Sequence, residues 1–436
     1  MLTDRESTRT TYLRSISSLN SSLNKGLGFL EQDIESQDIE SQDISGLDWN
    51  LLREDLSLPS AVLYEERLQH NLDWMQEFIT AYGVKLAPHG KTTMAPKLFT
   101  RQLQAGAWGI TLATAHQTQV AYAHGVRRVL MANQLVGKEN MATIGRLLAD
   151  SDFEYYCLVD SAALVDQLGA YFLKHGHRLN VLLELGVAGG RTGVRNEAQL
   201  QAVLASLTQW QDSIALRGVE IYEGVLEDEA SIRSYLQHAV DVTQKLAAKG
   251  FFKPGMILLS GAGSAWYDVV AEVFSAADFD GRVEIVLRPG CYLTHDIGAY
   301  REAQTKIQER NPIARRIGSG LLPALQVWAY VQSVPEAERA IIAMGKRDAA
   351  FDAGLPAPAL HFRPGETAPK AALAHWTLTK MMDQHAYLRI AEGDDLRVGD
   401  MIAFDISHPC LTFDKWRTLP VLNAEYQVID IVLTYF

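Results

Sequence analysis

Three groups of residues in this 436-residue chain carry side chains able to do chemistry, and they lie far apart in sequence. The first is Pro88-His89-Gly90-Lys91-Thr92, where a Gly-flanked lysine follows the apolar run 84–87. An amine at the end of a strand stands where loops build sites, and it can serve as nucleophile or base. The second group is a pair of turns, Ser260-Gly261-Ala262-Gly263-Ser264 and Arg288-Pro289-Gly290-Cys291-Tyr292. Bare backbone N–H groups in such turns can approach phosphate oxygens, and Ser264 adds a hydroxyl. The third is Ser407-His408-Pro409-Cys410. On an extended strand, residues two apart share a face, so His408 and Cys410 can reach one ion. Imidazole nitrogen with thiolate sulfur favours zinc, and two protein ligands leave the open positions that a catalytic zinc needs. Taken singly, each group has a plain structural reading as a surface lysine, a pair of tight turns or a buried thiol.

The elements that must position these residues follow from the pattern. Eight β-type runs, 84–88, 109–114, 128–133, 154–160, 179–186, 216–223, 256–261 and 283–289, alternate with longer amphipathic segments. Tyr155-Tyr156-Cys157-Leu158-Val159 is continuously apolar, as a parallel strand covered on both faces should be. Eight β-then-α units predict a (β/α)8 barrel over 55–310, with sites at the C-terminal strand ends. Lys91 then follows the first strand and Asn133 the third. The Gly-rich loop 186–193 with Arg191 follows the fifth, and Tyr222 and Glu223 mark the sixth. The two glycine turns follow the seventh and eighth, where barrels commonly hold phosphate. A lysine facing a phosphate grip across a barrel mouth is the layout that pyridoxal 5'-phosphate requires.

Beyond about residue 310 the pattern changes to alternating strands separated by Gly/Pro-rich turns, which predicts a separate β domain over 311–436 carrying His408 and Cys410. Residues 1–54 read as a partly flexible N-terminal extension able to pack on the β domain. Its Glu-Ser-Gln-Asp-Ile tandem has a period of five, matching neither helix nor strand. The charge balance is 40 basic to 52 acidic residues, net −12, without a basic block. That argues against nucleic acid and an anionic membrane surface as partners. No apolar run approaches the roughly 18 residues of a membrane span, and Met1-Leu2-Thr3-Asp4-Arg5-Glu6 lacks the layout of a secretory signal. Three cysteines imply no disulfide framework. A cytoplasmic enzyme is the expectation.

With these residues assembled, the chain resembles the D-serine dehydratase and D-threonine aldolase family of fold-type III, alanine-racemase-like pyridoxal-phosphate enzymes. The resemblance rests on the lysine motif, the loop through Arg191-Thr192-Gly193, both glycine turns and His408-Pro409-Cys410, and it runs from about residue 55 to the C-terminus. It implies that Lys91 is the Schiff-base lysine and the base at Cα, that Arg191 contacts the pyridine nitrogen, and that Tyr222 lies near the cofactor. It places the phosphate at Gly261, Gly263, Ser264, Gly290, Cys291 and Tyr292, and a Zn²⁺ ion on His408 and Cys410. An arginine cannot accept the pyridinium proton, so the ring would be a weak electron sink, which suits a reaction whose leaving group absorbs the charge. Within the family His-X-Cys resembles the zinc-dependent dehydratases, and His-X-Asp the aldolases. The implied activity is a carbon–oxygen lyase of D-serine ammonia-lyase type, acting as a homodimer on a D-3-hydroxy amino acid such as D-serine or D-threonine and releasing the 2-oxo acid and ammonia. The alternative is a metal-assisted D-threonine-type aldolase. A non-catalytic pyridoxal-phosphate carrier would need neither the β domain nor the His-X-Cys pair, and a racemase would need a second base. The extension and a Gly/Pro-rich insertion near 351–369 depart from the family pattern.

Overall fold

A computed structural model describes residues 25–27 and 48–436, so the Glu-Ser-Gln-Asp-Ile tandem lies outside the described residues. The chain divides into two compact units. The first described strand, β1 (Ser60–Tyr64), belongs to the sheet unit and not to the barrel.

The eight expected barrel strands all form: β2 (Lys85–Leu86), β3 (Ile110–Leu112), β4 (Arg128–Gln134), β5 (Glu154–Val159), β6 (Leu179–Glu184), β7 (Ile214–Glu220), β8 (Ile257–Gly261) and β9 (Val283–Leu287). They make one parallel sheet in the order β2-β9-β8-β7-β6-β5-β4-β3. The sheet curls until its edges meet. His89 bridges to Thr111, and the Thr111 N–H donates to the Pro88 carbonyl at 2.9 Å. Ala87, Leu130, Tyr156, Leu158, Leu182, Leu258 and Val286 fill the barrel as one buried cluster. The intervening helices start where short polar residues can cap them. Thr114, Ser161, Asn196 and Asp228 each accept the backbone N–H three residues on.

The second unit is a ten-stranded sheet. After β1 it takes up β10 (Leu325–Glu336), β11 (Arg339–Ile342), β12 (Ala357–Phe362), β13 (Lys370–Ala371), β14 (Thr377–Met381), β15 (Ala386–Arg389), β16 (Met401–Asp405), β17 (Thr418–Leu422) and β18 (Val428–Leu433). The main path runs β13-β12-β16-β10-β1-β17-β18, and all its pairs are antiparallel except β1 with β17. Trp328, Phe362, Met401 and Leu422 centre its apolar core.

The expected boundaries at 55 and 310 shift. The sheet unit takes in residues up to His70, together with Thr294–Ala299 and Leu322–Thr434. The barrel unit keeps Asn71–Leu293 and Tyr300–Leu321. The boundary at 55 puts β1 on the barrel side, yet its pairing with β10 and β17 commits it to the other sheet. The insertion near 351–369 contributes β12, which pairs with β16. No helix among the described residues is long and apolar enough to cross a membrane.

Candidate active site

Lys91 lies in a single 3-10 turn, Gly90–Thr92, directly after β2, with its side chain exposed. Gly90 is obligatory there, because a Cβ would stand 2.7 Å from the Phe99 ring and 2.8 Å from Ile110. Beside the lysine, burial drives the His89 imidazole well below its ordinary pKa, and the nearby Lys91, Arg288 and Arg191 charges push the same way. His89 is therefore a neutral ring with three cations within electrostatic reach. Those cations come from the ends of three different strands, as convergence on one barrel mouth requires.

The floor of the cluster is charged and closed. Arg288, at the end of β9, pairs through Nη2 with Glu220, the last residue of β7, and donates to the Ile221 carbonyl at 2.9 Å. Both side chains are almost fully buried. Burial raises the Glu220 carboxyl to about 8 against the pull of Arg288. His89 Nδ1, Glu220 Oε2 and Arg288 Nε are buried polar atoms without a protein partner. Three such atoms in one neighbourhood mark a place where a polar ligand completes the hydrogen bonding. Sequence reasoning passed over the Glu220–Arg288 pair, although a charged residue at the end of each apolar run was a readable sign.

The two glycine turns meet as expected, and the contact is specific. The Cys291 N–H donates to Ser264 Oγ at 3.2 Å, joining the turn after β8 to the turn after β9. At Gly290 a Cβ would come within 2.6 Å of Thr92 Oγ1 and 2.8 Å of the His89 carbonyl. The backbone N–H groups around Gly261 and Gly263 are arranged differently from the expectation. Gly263 N–H donates to Glu223 Oε1 at 2.6 Å, and Ala262 N–H to Glu223 Oε2 at 3.1 Å. A fully buried carboxylate thus already occupies the donors of this turn. Ser264 Oγ accepts from Cys291, so its own proton, together with the Gly290 backbone, is what these turns can still offer a phosphate. Tyr292 is buried, and its hydroxyl accepts from Gln102 Nε2 at 3.1 Å, so its ring supports the helix Pro96–Gln104.

Arg191 stacks on Tyr222, with its guanidinium carbon 4.8 Å from the ring centroid. The loop that carries it is held from several sides. Arg195 donates to the carbonyls of Gly193 at 2.6 Å and Gly190 at 3.0 Å, while Gly193 N–H donates to Asp160 at 3.1 Å. Thr192 donates to Glu184 at 2.5 Å, and Gln134 donates to the same carboxylate. Arg191, Thr192, Tyr222, Glu184 and Tyr235 line a cleft at this end of the barrel. Burial raises the Tyr222 hydroxyl, and Glu223 adds to the effect.

These residues fit pyridoxal phosphate. The lysine can take an aldehyde, the clustered cations match an anionic ligand, and the orphaned atoms call for polar partners.

In the sheet unit, His408 and Cys410 do meet, by a geometry other than the extended strand expected. β16 ends at Asp405, Pro409 adopts φ −59° and ψ −47°, and Cys410 opens the helix Cys410–Phe413. Proline fixes φ near the helical value and is tolerated at a helix start, so the chain turns instead of continuing extended. The turn brings the thiol to the imidazole. Cys410 first, and then the Asp352 carboxylate, raise His408 to about 9. Asp352 Oδ2 stands 2.8 Å from His408 Nδ1. A carboxylate on one imidazole nitrogen with a metal on the other is a recurring arrangement of metal sites. The Thr412 hydroxyl donates to the His408 carbonyl at 3.0 Å, and Ser407 donates to the Gly354 carbonyl at 2.6 Å. Asp352 comes from the insertion and was not legible as a partner, since loops bring together residues that no periodicity connects. Among the described residues, no group of three or more His, Cys, Asp or Glu side chains is placed to hold a metal. The donor set is one nitrogen and one sulfur, which fits a metal with open positions.

Comparison with known proteins agrees with this fold. Residues 64–292, more than half the chain, match the family of the alanine racemase N-terminal domain, and residues 324–422 match a serine dehydratase domain. A D-threonine aldolase from Arthrobacter sp. is 26% identical over 377 residues, covering 84% of this chain and 89% of that protein. A D-threo-3-hydroxyaspartate dehydratase from Delftia sp. (strain HT23) is 28% identical over 169 residues, 39% of this chain and 44% of that one. The crystal structure of D-threonine aldolase from Filomicrobium marinum superposes with a TM-score of 0.72 at 21% identity, covering 89% of this chain and 97% of that one. The chain belongs to the alanine racemase N-terminal domain family of fold-type III pyridoxal-phosphate enzymes, among the relatives that include D-threonine aldolase and D-threo-3-hydroxyaspartate dehydratase.

Proposed function

We propose that the protein is a pyridoxal-phosphate- and zinc-dependent dehydratase that converts a D-3-hydroxy amino acid, such as D-serine or D-threonine, to the 2-oxo acid and ammonia. The observation that carries this reading is the pairing of His408 with Cys410, with Asp352 orienting the imidazole. Neither a cofactor carrier nor a racemase has a use for such a donor pair. Sulfur beside nitrogen supports zinc over harder divalent ions.

When bound, pyridoxal phosphate supplies an electron sink at Cα and a metal ion a Lewis acid for a poor leaving group. Lys91 would hold the cofactor at its aldehyde and would move the proton at Cα. Neutral His89 beside it adds no fourth positive charge to the cluster. Arg191, held by its loop and by Tyr222, would contact the pyridine nitrogen, to which a guanidinium offers no acceptor for a proton. The Ser264 hydroxyl and the Gly290 backbone would hold the phosphate, with Cys291 N–H fixing Ser264 and Glu223 keeping the preceding turn in shape. His408 and Cys410 hold the metal. The substrate loses water, and the released enamine takes up water to give the 2-oxo acid and ammonium; D-serine yields pyruvate.

The aldolase reading remains the rival, favoured by the 84% of the chain that aligns with the Arthrobacter D-threonine aldolase. Incubation with D-threonine separates them by product. 2-Oxobutanoate with ammonium supports dehydration, and glycine with acetaldehyde as main products overturns it. The acidic composition and the three free cysteines support a cytoplasmic setting, and the family supports a homodimer.

A further inference from the structure

Lys25, Gly26 and Leu27 precede residue 64, where the family match begins, and they are tethered to the sheet unit at every residue. Leu27 is 6% exposed and joins the apolar core with Trp328 and Leu422. Gly26 has φ +88°, and its carbonyl accepts from Ser60 Oγ at 3.2 Å. A Cβ at Gly26 would stand 2.9 Å from Ser60 Oγ and 3.0 Å from the Trp416 ring, so only glycine seats here. The Lys25 ammonium lies 2.9 Å from Asp348 Oδ1, donates to the Arg347 carbonyl at 2.8 Å and sits 3.7 Å from the centroid of Trp416.

These contacts bear on the loop that serves His408. The Asp348 side chain is only 2% exposed, and its Oδ2 accepts the Gly345 N–H at 2.8 Å. Trp416 Nε1 donates to the Asp348 carbonyl at 2.7 Å. Two residues on, the Ala350 N–H donates to Thr412 Oγ1 at 3.1 Å, the same hydroxyl that donates to the His408 carbonyl. Two residues further, Asp352 holds His408 Nδ1. Lys25 therefore bears on the His-X-Cys turn by two routes, one through Asp352 to the imidazole and one through Thr412 to the main chain. Removing the ammonium would leave Asp348 a buried charge without its counter-ion, a costly arrangement that the loop can relieve only by moving toward water. Both routes start from that loop.

We infer that the segment Lys25–Leu27 is an N-terminal clamp that positions the metal donors His408 and Cys410, with Lys25 as its positioning residue. This rests on the metal reading given above. Full-length protein is stripped with a chelator and titrated with Co²⁺ against a competing chromophoric chelator, following the thiolate–cobalt absorbance. Wild type, Lys25→Ala and Lys25→Arg are compared well below their melting temperatures. Lys25→Ala is expected to weaken Co²⁺ binding about 10-fold, the lower end for partners of metal ligands, and Lys25→Arg to recover most of the loss. Thr412→Val, which cuts one route while leaving Asp348 paired, gives a weakening in the same direction and carries the test if Lys25→Ala does not fold. Unchanged Co²⁺ affinity in Lys25→Ala with only a lower melting temperature of the metal-free protein overturns the clamp and leaves the metal reading standing. Wild-type protein that shows no thiolate–cobalt band overturns both.

Discussion

The cofactor cluster of the barrel and the His408–Cys410 turn of the sheet unit are built on opposite plans. The barrel cluster draws on residues from Lys91 to Cys291 at the ends of several strands, and its buried charges Glu220, Arg288 and Glu223 are already paired with protein, while Lys91 and Arg191 are exposed. The His408–Cys410 turn brings its nitrogen and sulfur together within one three-residue turn, both partly buried, and takes orientation from Asp352 elsewhere in the chain. A ligand the size of pyridoxal phosphate must be gripped at several points at once, which a closed barrel supplies by convergence. A metal ion needs a few donors at short range, and one turn with a supporting carboxylate is enough. The two sites should therefore fail differently.

The largest effect should come from Lys91→Ala, with a loss in kcat of about 10³-fold or more, in the range for removing a positioned base. The folded protein should still bind metal, which elemental analysis after gel filtration can verify. Cys410→Ala should do the reverse, lowering metal affinity by more than the roughly 10²-fold upper end for a ligand's partner, while the visible absorbance of the bound cofactor persists. Loss of both ligands in either variant would break the distinction between the sites. Glu223→Ala leaves the N–H groups of Ala262 and Gly263 without their acceptor in a buried turn. It should cost about 3 kcal/mol in denaturant unfolding and weaken cofactor binding more than metal binding. Asp352→Asn keeps a hydrogen bond to His408 but removes the charge, so metal affinity should fall by about 10-fold.

The smallest effect concerns pH. Glu220 is raised by burial to about 8 in the folded protein, above its unfolded value of roughly 4.3. The protonated form is then favoured by folding, so its stabilising contribution is full below the unfolded pKa and is lost as pH rises toward about 8. Glu220→Gln should flatten that part of the melting-temperature profile. A profile identical to wild type would mean that Arg288 keeps Glu220 ionised throughout.

How much of this was legible in the sequence follows the same division. The barrel was readable because each strand is an apolar run of defined length, and the C-terminal strand ends then named Lys91, Arg191, Tyr222 and both glycine turns. The role of Glu223 was not readable, since the same Gly-rich turn can offer its N–H groups to phosphate or to a carboxylate from the neighbouring strand. The boundary at 55 did not separate β1 from the barrel, because a five-residue strand says nothing about its partner, and long-range pairing with β10 and β17 decided it. His408 and Cys410 were found as a pair, but their local geometry was set by Pro409, a residue the spacing argument had treated as a spacer. Asp352 and Lys25 were invisible for one reason. Both act through contacts across more than fifty residues that follow no period.

The central claim is that Lys91 carries pyridoxal phosphate. Borohydride reduction of the purified protein loaded with the cofactor, followed by proteolysis and mass mapping, reads this directly. The account predicts one phosphopyridoxyl-modified peptide, with the modification on Lys91. A modification fixed on another lysine, or none after loading, would contradict it.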